Sequence, residues 1–145
     1  MIFLLFSSAK LIMRISTRIL MTASALIMMG AGIALSFLPG EIWRWLYGEP
    51  ATGTQHPEIL LQIIGALYFA FGMVNWTSKG NLIGGIYGRP IAIGNLTHFI
   101  IAGIALVKYY FANPTTVLLP VAVMYAILAL LFSIVFFTHP LSKKD

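Results

Sequence analysis

Few polar side chains interrupt the apolar stretches of this 145-residue chain: Gln62, Asn75, Asn95, Thr97 and His98. A histidine can relay a proton or hold a ligand near neutral pH, and each amide offers both donors and an acceptor. Asn95 and His98 are three residues apart, a spacing that shares one helix face, and Gly94 and Ala102 continue that face with small residues. With Asn75 and Arg89 they form a candidate pocket for a headgroup, a quinone or a small polar solute. The alternative is interhelical glue, in which each hydrogen bond contributes about 0.6 kcal/mol and sets helix register with no ligand present.

A second candidate is the segment 78–90, Ser-Lys-Gly-Asn-Leu-Ile-Gly-Gly-Ile-Tyr-Gly-Arg-Pro. Its glycines let the backbone approach a partner closely, and Lys79 and Arg89 flank it with positive charge. It lacks the Gly-Lys-Ser/Thr ending of a nucleotide-binding loop. Lys79 and Arg89 as contacts for anionic lipid headgroups need only a membrane surface, and a flexible turn with two basic residues would look much the same.

Other chemistries are removed by absence. With no cysteine there is no disulfide, thiolate nucleophile, iron-sulfur cluster or Cys-liganded zinc. His-Glu-x-x-His and Gly-x-Ser-x-Gly do not occur, so no catalytic residue is assigned and an enzymatic role has no support. His56 and His139 lie outside the apolar stretches, so His98 has no second axial partner, and neither haem nor a metal ion is expected. The identity of any cofactor stays open.

These side chains must be positioned by membrane helices. Hydrophobic residues make up 59% of the chain and charged residues 9%, far below the ~25% charged of an ordinary soluble domain. The basic surplus therefore reads as a topology signal and not as a nucleic-acid footprint. A hydrocarbon core of about 30 Å needs about 20 helical residues. Four runs free of Asp, Glu, Lys and Arg approach that length, at 19–38, 59–77, 91–107 and 115–138, the third extending to 110 if Lys108 snorkels. The expected fold is an all-α, single-domain, four-transmembrane-helix bundle over residues 1–145. None of the runs carries an acid, which argues against a proton-coupled exporter.

Four spans place residues 1–18, the middle loop and the tail 139–145 on one side. That side holds Lys10, Arg14, Arg18, Lys79, Arg89, Lys143 and Lys144, against Arg44 and Lys108 opposite. The positive-inside rule then predicts an inner (plasma) membrane protein with both termini cytoplasmic. Trp43, Trp45, Tyr47, Tyr109 and Tyr110 mark the outer interface, and Trp76 and Tyr87 the inner one. In the first outer loop, Pro-Gly followed by Glu-Ile-Trp-Arg-Trp-Leu-Tyr and then Gly48 and Pro50 predicts a short interfacial helix, with Ile42, Trp45 and Leu46 dipping inward. Pro120 either starts the fourth helix or kinks it. Ala-Gly-Ile-Ala-Leu occurs at both 31–35 and 102–106, a faint hint of duplication. Starting at Met13 instead of Met1 would leave Met-Arg-Ile-Ser-Thr-Arg before an apolar run too long for a typical cleaved signal, which resembles a signal anchor.

In length and four-helix layout, and in the run Gly-Ala-Leu-Tyr-Phe-Ala-Phe-Gly-Met-Val-Asn-Trp (65–76) before a basic, Gly-rich loop, the chain resembles small bacterial four-helix membrane proteins of the DoxX-like kind. The resemblance covers about 19–138 and includes Arg89 at the entrance of the third span. It implies an association with quinone-linked redox systems, and no catalytic residue is carried over from it. The expected function is an accessory or structural membrane subunit that packs through small residues. The alternative is a redox-associated or quinone/small-molecule-binding protein with a polar pocket at the cytoplasmic side of helices two and three. Expected partners are the bilayer and either other membrane subunits or further copies of the chain.

Overall fold

A computed structural model describes residues 2–48, 57–80, 88–113 and 116–138, with backbone only at 2–16, 116 and 138. The described residues are all-α: α1 (Ile2–Phe37), α2 (Pro39–Tyr47), α3 (Pro57–Ser78), α4 (Gly88–Ala112) and α5 (Leu119–Thr138), with a 3₁₀ turn at Thr116–Leu118 before α5. Four stretches are long and apolar enough to cross a membrane: Thr17–Phe37, Pro57–Ser78, Gly88–Ala112 and Leu119–Phe137. They match the expected spans to within a few residues. α1 begins well before its apolar run, and its 36 residues extend ~54 Å at ~1.5 Å each.

The helix boundaries follow from local chemistry. Leu38 leaves the helical region at φ −126° and ψ 40°, and Pro39 opens α2 at a position where its missing N–H is no loss. α2 ends at Gly48, whose φ of 76° is left-handed and whose N–H donates to the Arg44 carbonyl at 2.8 Å. Glu41 in its first turn and Arg44 in its last complement the helix dipole. The short helix predicted after the first span is thus present. Ile42 and Leu46 are half-buried, Trp43 packs its ring 4.3 Å from that of Tyr47, and Trp45 is 60% exposed. Pro120 is the second residue of α5, so it starts this helix and does not kink it. Pro90 likewise falls in the first turn of α4.

The chain forms two compact units, one within Ala23–Thr77 and the other from Met1–Thr22 with Ser78–Asp145. In the first, α1 and α3 pack antiparallel, Ser36 meeting Gly65, Gly32 meeting Phe69, and Met29 meeting Gly72. The backbones touch. A Cβ at Gly32 would lie 2.6 Å from the Phe69 nitrogen, one at Gly65 2.7 Å from the Ser36 nitrogen, and one at Gly72 2.9 Å from the Met29 nitrogen. Lipid tails are as apolar as leucine, so helices in a bilayer associate by van der Waals packing, and small residues permit the closest approach.

In the second unit α4 packs on α5 through rings instead of glycines. The buried residues of α4 are Gly88, Ala92, Asn95 and Phe99, spaced four, three and four apart. Those of α5 are Ala122, Tyr125, Leu128, Phe132 and Val135. Phe99 stacks on Phe132 at 5.6 Å and meets Tyr125 edge-on at 5.4 Å, geometries favoured by the ring quadrupole.

Candidate functional site

The polar groups within the spans are held in two ways. Asn75 of α3 is fully buried, and its Nδ2 donates to Ser24 Oγ of α1 at 3.2 Å, with Met28 Sδ at 3.9 Å. These contacts lie on the same α1–α3 seam as the glycines. A hydrogen bond between helices at this depth sets their register, because sliding one helix would strand an amide in hydrocarbon. Four other polar groups bond to carbonyls of their own helix. Asn95 Nδ2 donates to the Ile91 carbonyl at 2.9 Å, Thr22 to Arg18 at 2.8 Å, Ser133 to Ala129 at 2.8 Å, and Thr77 to Met73 and Val74 at 3.0 Å.

His98 is half-buried among rings, its centroid 5.1 Å from that of Phe99 and 5.7 Å from that of Tyr125. Asn95 is fully buried on the Ala92–Phe99 stripe. The face expected to continue through Gly94 and Ala102 is only half-buried, because the bulky Phe99 occupies the centre of the contact. Arg89 is exposed, with its guanidinium carbon 5.9 Å from the centroid of the Phe136 ring on α5. Of the two candidate lipid contacts, Arg89 is therefore accessible and Lys79 is half-buried. Asn81 to Tyr87, the centre of the Gly-rich segment, lie outside the described residues, as do Glu49, Pro50, His56 and His139. Gln62 and Thr97 are exposed on the surfaces of their helices.

Arg89, Asn95 and His98 share α4 at successive heights, and Asn75 belongs to the α1–α3 unit. A groove of about 440 Å³ does open between α4 and α5, but Arg89, Asn95 and His98 do not line it. On α4 it is lined from Phe99 through Gly103 and Ile104 to Lys108, and on α5 by Ala122, Ala126 and Ala129. Among the described residues no three His, Asp or Glu side chains gather as a metal site would require.

The glycine seam has a signal in the sequence, and Ser24 has none. Gly65 and Gly72 are seven apart on α3, and Ala25 and Gly32 are seven apart on α1, a repeat that keeps small residues on one face. Ser24 passes for an ordinary residue of an apolar span until Asn75 is seen to donate to it. The repeated Ala-Gly-Ile-Ala-Leu has two different uses. Gly32 admits the α3 backbone, whereas a Cβ at Gly103 would meet only Tyr125 Cβ at 3.8 Å, an ordinary contact.

Neither a protein-family model, nor a characterised protein, nor a solved structure matches this chain.

Proposed function

We propose that this chain is a small inner-membrane protein without catalytic activity, an accessory or structural subunit with both termini in the cytoplasm. One observation carries the reading: a fully buried polar pair, Asn75 and Ser24, joins two helices of the chain to each other. Amides spent on helix register make a scaffold, and the large exposed apolar side chains of the spans, such as Leu67, Ile104 and Leu130, suit lipid or neighbouring subunits. The orientation rests on the excess of Lys and Arg in the terminal and middle segments. The test is purification with native lipids followed by mass spectrometry of everything retained. The expected result is lipid and protein subunits only, unchanged by His98→Ala. A stoichiometric non-lipid small molecule that disappears in His98→Ala would overturn the reading.

A second reading is favoured by His98. An ionisable side chain half-accessible within a span is a functional candidate by default, and here it lies against two rings. On this reading the chain is a DoxX-like, redox-associated protein in which His98, with Arg89 and Asn95 of the same helix, binds a quinone or similar small molecule. Reconstitution with a quinone analogue decides it: binding that weakens at least tenfold in His98→Leu supports it, and equal binding by both proteins removes it.

A further inference from the structure

The groove between α4 and α5 is one leaflet deep. It runs along α4 from Phe99 to Lys108, or ~14 Å at a rise of ~1.5 Å per residue. That is about half of the ~30 Å hydrocarbon core. It stops where it does because Phe99 and Phe132, 1% and 0% exposed, stack and fill the interface beyond. From there toward the other end the lining includes Gly103, Ala126 and Ala122, which are too small to fill the space between the helices. At that end stands Lys108, exposed on the last turns of α4, beside Tyr109 and Tyr110. Tyrosines and a snorkelling lysine mark headgroup depth. The unit to which Lys108 belongs contains no Asp or Glu apart from Asp145, which lies outside the described residues.

We propose that this groove holds one acyl chain of an anionic phospholipid whose phosphate sits on Lys108. Depth and charge together select this occupant. A second transmembrane helix would need a seam along the whole span, whereas this depression ends at mid-bilayer. A zwitterionic lipid would also bring a phosphate, but its own cation offsets that charge, so an anionic lipid offers Lys108 the stronger net attraction. The inference stands on the α4–α5 packing and not on the accessory-subunit reading, so either can fail alone.

The experiment is native mass spectrometry of the full chain, delipidated and returned to phosphatidylcholine nanodiscs doped with phosphatidylglycerol. The wild-type chain is expected to retain one phosphatidylglycerol in about fivefold preference, the effect of one basic residue at a membrane surface. Lys108→Gln should still retain a lipid but without preference. Ala126→Leu, or Ala126→Phe if it folds, should fill the groove and release the lipid. Ile127→Phe, an exposed position that does not line the groove, should behave as wild type. The proposal is overturned if wild type shows no preference, if Lys108→Gln keeps it, or if both Ala126 variants retain the lipid. It is equally overturned if soluble inorganic phosphate displaces the lipid, or if the wild type is a dimer that Ala126→Leu dissociates.

Discussion

Asn75 shows what one polar side chain can do in hydrocarbon. Its amide has no water to fall back on, so the bond to Ser24 Oγ at 3.2 Å specifies one pairing of α1 and α3. The energy involved is modest, because helices separated in the membrane also find partners for their polar groups. A double-mutant cycle of Asn75→Ala and Ser24→Ala, read by reversible unfolding in mixed micelles, should give a coupling of about 0.6 kcal/mol and no more than ~1.7. A coupling near zero would mean that the two residues are buried for other reasons. The sequence singles out Asn75, because an amide is rare in such a run. It cannot single out Ser24, whose small hydroxyl is equally at home bonded to its own helix. For His98 the sequence places the residue on the same helix as Asn95, and the structure adds the rings of Phe99 and Tyr125, which also contact each other.

At the scale of helices, two seams of opposite design hold the two units. At its glycines the α1–α3 seam leaves no room for a side chain, so substitutions there should act by overpacking. Gly65→Val and Gly72→Leu are each expected to destabilise by about 1–3 kcal/mol or more, since the added carbon meets not only Ser36 Oγ or Met29 Cγ but also facing backbone atoms that no rotamer change can move. Gly30→Ala is the control: nothing lies within 4 Å of a Cβ there, and stability should hold or rise by a few tenths of a kcal/mol to ~1 kcal/mol. Equal loss in all three variants, measured in the same unfolding assay, would place the glycine effect in the helix itself and not in the seam. The α4–α5 seam depends on rings. Phe132→Ala should destabilise by less than the ~3–5 kcal/mol seen for such a change in a water-soluble core, because a ring leaving this contact enters lipid and not water, and only the packing is lost. A loss at the full soluble-core value would contradict that account. The helix starts and stops were legible in sequence, from Pro39, Gly48, Pro90 and Pro120, because backbone restrictions act locally. The choice of seam faces was not.

For the whole molecule, orientation is the property most open to direct test. The chain contains no cysteine, so single cysteines can be placed on a silent background. In intact cells, an impermeant thiol reagent should label Trp45→Cys and Asn113→Cys and spare Lys79→Cys until the membrane is opened. Labelling of Lys79→Cys from outside would invert the assignment. What the amino-acid sequence determined alone is the number, length and ends of the spans and the short helix after the first. Burying backbone in hydrocarbon demands long apolar helices, and composition records that demand directly. What only the tertiary structure decided is which face of each span meets which neighbour. In a soluble helix, water separates an apolar stripe from a polar one and writes the buried face into the sequence. These spans are apolar all round, so their buried faces are selected by shape: glycine against backbone at Gly32, Gly65 and Gly72, ring against ring at Phe99 and Phe132, and an unfilled groove where Ala126 and Gly103 leave room.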